Sequence, residues 1–196
     1  LECLESYFAS IKLAIDNNSF GPLSTLSLGY LAYELKFHEM KNAKQFGRYA
    51  VKLSEKIDNP NILAKNLCNL GQILSFGGEL IESEEKFDQA EQLCKSKTKD
   101  ERTLCRILVN SAVTLIGLGN YRKAESKLNE AFQRFGNAGD RRRKSMAKAY
   151  LGIIFFHKGK KKESKKLIQD ALREHLDAGA MREIIYETLT IEWMER

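Results

Sequence analysis

The stretch LIGLGNYRKAESKLNEA, from Leu115 to Ala131, contains two glycines one residue apart, followed by a run with helical periodicity. Glycines with this spacing occur both in phosphate-binding loops and in turns between helices, so their interpretation decides the fold. A phosphate loop would follow a strand and carry a Lys-Ser/Thr pair or a third glycine at a fixed position. Here Leu108 to Leu118 has helical periodicity, and Tyr121 to Lys123 do not supply the motif. The stretch therefore predicts a turn between two helices.

The turn belongs to a repeat with a period of about 40 residues. Three segments align with one another: Leu67–Leu93, Leu108–Arg134 and Ala149–His175. Each has a small residue, a second small residue twelve positions later, an alanine seven positions after that, and a large apolar residue three before the alanine. In that order the positions are Gly71, Ser83, Ala90 and Phe87; Ala112, Ala124, Ala131 and Leu128; and Gly152, Ser164, Ala171 and Ile168. The first small residues lie 41 and 40 positions apart.

This pattern predicts pairs of antiparallel helices, because two backbones approach closely only where the facing side chains are small. We expect Gly71 to face Ser83 and Gly152 to face Ser164. A further set of glycines ends the first helix of each pair, where a left-handed residue is needed: Gly78, Gly119 and Gly159.

These positions resemble the tetratricopeptide repeat. The matching residues are Leu70, Gly71, Leu74, Ser83, Phe87 and Ala90; Gly119, Tyr121, Ala124, Leu128 and Ala131; Leu151, Gly152, Phe155, Gly159, Ile168 and Ala171; and, in a weaker copy, Leu31, Ala43 and Ala50. The usual repeat has about 34 residues, whereas this one is similar to the long repeats of kinesin light chain and LGN adaptors, MalT-like and signal-transduction ATPase regulators and Rap-type peptide sensors. The resemblance implies a scaffold that binds peptides, proteins or small effectors.

The predicted fold class is all-α, a tetratricopeptide-like right-handed superhelix of antiparallel helix pairs with about ten helices. The predicted helices cover residues 2–17, 23–37, 40–57, 60–76, 79–97, 100–117, 120–136, 140–158, 160–177 and 180–194. We expect a single repeat domain over 1–196, with repeats at about 1–18 (half), 23–58, 60–98, 101–138, 141–178 and 180–196 (half). Because both ends are half repeats and the chain starts at Leu1, we expect it to be a piece of a larger protein.

The composition is that of a soluble, helix-rich protein, with 43% hydrophobic residues, 30% charged residues and only two prolines. No apolar run approaches the roughly 18 residues of a membrane span, so we expect a cytoplasmic protein with no membrane contact. The cysteines include no CxxC pair and predict reduced, buried thiols rather than disulfides or zinc ligands: Cys3, Cys68, Cys94 and Cys105.

The resemblance also implies a binding surface. In the resembled adaptors, an asparagine just before the small residue of the first helix faces the concave groove and hydrogen-bonds a peptide backbone. The matching residues here are Asn69 and Asn110, and Tyr150 takes that place in the next repeat. With the neighbouring polar side chains, the predicted groove contains Lys65, Asn69, Gln72, Arg106, Asn110 and Tyr150. Such a groove suits an acidic or extended peptide, or another domain of the same chain; the alternative is that these asparagines only bond across helices or face water.

A second candidate surface is the basic segment from Arg141 to Lys166, which has eleven Lys or Arg and one acid, Glu163. Its candidate residues are Arg141, Arg142, Arg143, Lys144, Lys148, Lys160, Lys161 and Lys162. They fall into two clusters about 25 Å apart along a helix, and no aromatic residues are interleaved within either cluster to stack bases. A solvated surface, an acidic protein partner and nucleic acid all stay open as interpretations.

No pattern in the sequence argues for an enzyme, a metal site or a cofactor. The exposed terminal helices of a cut array offer self-association as a further alternative. The predicted function is a protein- or peptide-binding scaffold, the sensor or interaction module of a larger cytoplasmic regulatory protein. The alternative is association with nucleic acid or an acidic partner through residues 141–166.

Overall fold

The computed structural model describes residues 9, 11–14, 16–17 and 21–195, and all regular secondary structure in these residues is helical. The all-α prediction is thereby confirmed. From residue 21 onward the α-helices are α1 (Pro22–Leu35), α2 (Met40–Lys56), α3 (Pro60–Phe76), α4 (Leu80–Leu93), α5 (Glu101–Gly117), α6 (Tyr121–Asn137), α7 (Arg141–His157), α8 (Lys161–Asp177) and α9 (Met181–Glu195). The predicted helix over 2–17 and Cys3 lie largely or wholly outside the described residues.

The chain divides into two compact units, with the boundary between Thr114 and Leu115 inside α5. In the first unit α1 packs against α2, α3 packs against α4, and α1 also contacts α3. In the second unit α6 packs against α7, α7 against α8, and α9 against α8. Short connections make consecutive helices antiparallel, as the repeat pattern predicts.

The small positions bring paired helices into direct contact, as predicted. The Ser83 hydroxyl donates a hydrogen bond to the Gly71 carbonyl at 2.7 Å, and the Ser164 hydroxyl donates one to the Gly152 carbonyl at 2.7 Å. A Cβ atom added to Gly71 would lie 2.8 Å from the Phe87 ring. In the repeats that have a glycine at this position, Gly71 and Gly152, the large residues Phe87 and Ile168 therefore occupy the space that the missing side chain leaves.

The opening stretch forms a turn and not a phosphate loop. Helix α5 ends at Gly117 and α6 begins at Tyr121. Gly119 has a φ of 73°, in the left-handed region that favours glycine. The Asn120 side chain accepts a hydrogen bond from the Lys123 N–H at 3.3 Å and so caps α6.

A π-helical segment, Cys94–Thr98, continues α4 and accounts for the one irregular repeat length. The 41-residue interval contains one residue more than the 40-residue interval, and that residue falls between Ala90 and Ala112. The Lys99 N–H donates to the Cys94 carbonyl at 3.1 Å, a bond across five residues. The wider turn absorbs the extra residue, so that the small positions of the following helix keep their register.

Lys99 takes the left-handed position that Gly139 and Gly179 hold in the later repeats, with a φ of 53°. A residue with a side chain is destabilised by about 1–2 kcal/mol in this conformation. Glycine avoids this cost, but it also raises the conformational entropy of the unfolded chain, which offsets part of the gain in stability. We expect Lys99→Gly to raise the free energy of unfolding by about 1 kcal/mol, measured by urea denaturation. Gly139→Ala should have the opposite sign, and a destabilising Lys99→Gly would contradict the explanation.

Candidate functional site

A polar cluster lies on α1, α3 and α5, the first helices of successive pairs in the first unit. Its centre is a hydrogen bond between the Arg106 guanidinium (Nη2) and the Asn69 side-chain oxygen (Oδ1), 3.0 Å apart. Asn69 is only 1% exposed, whereas Arg106 is partly exposed. Tyr30 and Tyr33 on α1 lie close enough to Arg106 to affect its pKa. We call these four residues the Arg106 cluster.

The guanidinium in this cluster stays charged. Burial alone would lower the pKa of Arg106, but electrostatic interactions with Cys68, Tyr30 and Tyr33 and a hydrogen bond with the Cys68 side chain hold it above its ordinary value. A guanidinium carries five N–H donors, so the contacts with Asn69 and Cys68 do not use all of them.

Asn69 lies beneath the cation rather than beside it. Its Nδ2 atom is buried and has no hydrogen-bond partner among the residues that the structure describes. A buried polar atom without a partner carries a desolvation cost. Asn69 therefore contacts the partly exposed guanidinium of Arg106 from a buried position.

Two of the other predicted groove residues of this unit already make polar contacts within the chain. The Lys65 ammonium lies 3.6 Å from the Asp100 carboxylate. Burial would raise the pKa of Asp100, but hydrogen bonds from Thr103 and the charge of Lys65 lower it, so the Lys65 charge is compensated. Gln72 donates to the Cys68 carbonyl at 3.4 Å. Asn110 is half-buried, one turn after Arg106 on α5.

Tyr150 belongs to the second unit and is described there by itself. Its ring packs against that of Tyr186, with 6.0 Å between the ring centroids. Burial raises the pKa of the Tyr150 hydroxyl, and nearby Tyr186 and Glu183 raise it further. The hydroxyl is therefore a neutral donor at physiological pH.

The two ends of the basic segment differ in how far carboxylates neutralise their charge. At the α7 end, Arg142 forms an ion pair with Glu183 at 2.8 Å, Arg143 pairs with Asp140, and Lys148 pairs with Glu174. The Lys144 ammonium lies 4.7 Å from the centre of the Phe132 ring. Carboxylates thus neutralise most of this end, which weakens it as a polyanion site.

At the α8 end, Lys160, Lys161 and Lys162 are exposed and form no ion pair within residues 21–195 that the structure describes. Aromatic side chains lie beside them, contrary to the expectation from sequence. Trp193 packs against Phe156 at 5.0 Å between ring centroids. Trp193 follows this segment by about thirty residues, so spacing within the segment carried no signal of it.

A buried acid–base pair in the second unit also escaped the sequence analysis. His175 of α8 and Glu187 of α9 are 0% and 2% exposed, with 2.8 Å between Nδ1 and Oε1. The other ring nitrogen of His175 lies 3.0 Å from the Arg142 carbonyl. These contacts tie α7, α8 and α9 together through one imidazole.

In the part of the chain that the structure describes, no helix is long and apolar enough to cross a membrane. No group of three or more His, Cys, Asp or Glu side chains that could hold a metal ion occurs in that part of the chain. Cys68, Cys94 and Cys105 are buried thiols and not disulfides, as predicted.

No family model matches the sequence, and no match was found among curated proteins. Solved structures do match. A Rap protein complexed with competence and sporulation factor has a TM-score of 0.73 at 12% identity, over 85% of this chain and 46% of that one. PlcR from Bacillus thuringiensis, in complex with the peptide PapR7 and DNA, has a TM-score of 0.71 at 11% identity, over 98% and 69%.

A third match is a putative kinesin light chain from Podosopora anserina with nearly identical tetratricopeptide-like repeats. Its TM-score is 0.68 at 12% identity, over 89% of this chain and 96% of that one. The fold is therefore that of the helical repeat proteins. Within that class it is tetratricopeptide-like, which confirms the resemblance seen in the sequence.

Proposed function

We propose that the chain is a protein- or peptide-binding scaffold whose first unit holds a segment with an acidic group against the Arg106 cluster. The observation that carries the proposal is the partly exposed guanidinium, fixed by a buried asparagine and flanked by two tyrosines. A fixed guanidinium binds a carboxylate through paired, charge-assisted hydrogen bonds. The tyrosine rings add apolar area and hydroxyl donors beside it.

The comparisons support binding rather than catalysis. PlcR has this fold and was solved with a peptide, and the Rap protein was solved with competence and sporulation factor. We further propose that residues 1–196 act as one repeat domain in a larger regulatory protein of the cytoplasm. There the domain would sense a peptide, a protein or another domain of the same chain.

Selection from a random heptapeptide display library, with this chain as bait, tests the proposal. We expect the enriched peptides to share an Asp, a Glu or a required free C-terminus. Their affinity should fall about tenfold or more in Arg106→Gln, because charge-assisted hydrogen bonds contribute about 1.5–3 kcal/mol. Fluorescence anisotropy of labelled peptides gives the affinities.

Arg102→Gln is the matched control, since Arg102 lies one turn earlier on α5 and is exposed. Asn69→Leu should weaken binding as Arg106→Gln does if Asn69 acts by positioning the guanidinium. Peptides that bind Arg106→Gln as tightly as the unchanged chain would overturn the proposal.

A further inference from the structure

The start of α8 is a place where an anion would be bound favourably. Lys160 is its N-cap residue and makes no side-chain capping bond, whereas Asn120 caps α6 and Asp140 caps α7. The N–H groups of the first turn point out of the helix and attract negative charge. Lys160, Lys161 and Lys162 occupy the N-cap and the first two positions of this helix, and all three are exposed.

Exposed aromatic rings lie next to these lysines. The rings of Tyr121 and His157 are stacked, 4.9 Å apart and 14° from parallel. Trp193 is 54% exposed and lies 6.3 Å from the His157 ring. The Lys161 ammonium is 5.8 Å from the centre of the Phe156 ring, which itself packs on Trp193. Cations and ring faces are therefore contiguous.

We propose that this lysine–aromatic surface, made of Lys160, Lys161, Lys162, Phe156, His157 and Trp193, binds single-stranded nucleic acid. Phosphates bind to the lysine ammonium groups and to the N–H groups of the first turn of α8, and unpaired bases stack on Trp193 and His157. Grooves that bind single strands without strong sequence preference combine these two elements.

Charge and ring exposure together favour this occupant over others. Glu125 forms an ion pair with Lys158, and Glu163 is the acidic residue in the first turn of α8. The charges of Lys160, Lys161 and Lys162 exceed that of Glu163, so the surface has a net positive charge. An acidic protein segment would satisfy the lysines but not use the ring faces. A duplex keeps its base faces stacked inside the helix, where Trp193 cannot reach them.

Trp193 is the only tryptophan of the chain and reports directly on stacking. We expect a short oligothymidine to quench its fluorescence in a saturable way. Three phosphate contacts on a single strand give a slope near −2 in log affinity against log salt, so affinity should fall about 20-fold between about 50 and about 200 mM salt. The same oligonucleotide as a duplex should bind more weakly and leave the emission unchanged.

Two variants separate the elements of the surface. Lys160→Gln/Lys161→Gln/Lys162→Gln should flatten the salt dependence and lose most of the affinity. Trp193→Leu, followed by anisotropy of a labelled oligonucleotide, should lose about fivefold or more while keeping the salt slope. The matched control for charge is Lys41→Gln/Lys52→Gln/Lys56→Gln, which removes three exposed lysines from α2.

Three results would overturn the inference. The first is binding without quenching that Trp193→Leu leaves unchanged, since the rings would then play no part. The second is equal loss in the two triple lysine variants, since the effect would then come from net charge. The third is a polyglutamate peptide that competes as well as the oligonucleotide, which would assign the surface to an acidic protein partner.

Discussion

Replacing Phe87 by alanine should lower the free energy of unfolding by about 3–5 kcal/mol. The Phe87 side chain is 0% exposed and covers Gly71, where an added Cβ would lie 2.8 Å from its ring. Truncation leaves a cavity that the glycine opposite cannot fill, because the glycine has no side chain to move. Urea denaturation followed by circular dichroism measures the change.

Phe76→Ala is the control, because that ring is 60% exposed on α3 and should cost much less. A coupled test uses the contact itself. Gly71→Ala alone should destabilise, whereas Gly71→Ala combined with Phe87→Leu should cost less than the sum of the two changes. Additive costs would show that Gly71 and Phe87 do not share the space between α3 and α4.

The stability of the second unit should fall as the pH rises above about 6.5, by at most about 1.4 kcal/mol per pH unit for one proton. The Arg142 carbonyl can only accept, so the His175 nitrogen that faces it must carry hydrogen. The 2.8 Å contact between the other nitrogen and Glu187 then requires a second proton between them. The folded pair therefore holds one exchangeable proton.

Burial raises the pKa of Glu187, while His175 lowers it and Glu183 and Glu174 raise it. The Oε2 atom of Glu187 is buried without a hydrogen-bond partner among the described residues, which suits a carboxyl better than a carboxylate. In the unfolded chain, a histidine and a glutamate together hold one proton between about pH 4.3 and 6.5 and none above. Folding therefore takes up a proton above that range, so stability decreases with rising pH.

Glu187→Gln tests the proton count, because an amide N–H can donate to the imidazole without an added proton. We expect the variant to fold and to lose the fall in stability above about pH 6.5. Glu192→Gln, at an exposed position of the same helix, should keep the slope. Trp193 fluorescence during urea unfolding reports on this unit. An unchanged slope in Glu187→Gln would contradict the shared proton.

The repeat could be predicted from sequence because steric rules act at fixed spacing. Gly71 leaves room for Ser83, twelve residues later, and for Phe87, sixteen residues later. Because the same spacing recurs in other repeats, it can be detected in the sequence. The π segment was missed as an element, and helix was predicted through residue 97. Its signal was present only as the difference between intervals of 41 and 40 residues.

The site was less predictable because its groups meet across repeats. Asn69 and Arg106 are 37 residues apart, and only packing shows that the asparagine is buried under the cation. In the same way, Arg142 pairs with Glu183 across 41 residues, so a local count of charge overstated the basic segment. Pairings of this kind depend on which faces adjoin, and charge composition does not contain that information.

The π turn at Cys94–Thr98 also sets a rule for exchanging parts of this chain with other helical repeats. A module cut after Leu93 would omit the widened turn. The helix that follows would then be shifted in register by one residue, which corresponds to a rotation of about 100° about its axis. A module that ends at Lys99 carries its own correction and presents Ala112 in the proper orientation. Repeats of unequal length can thus be combined if each keeps the turn that compensates for its length.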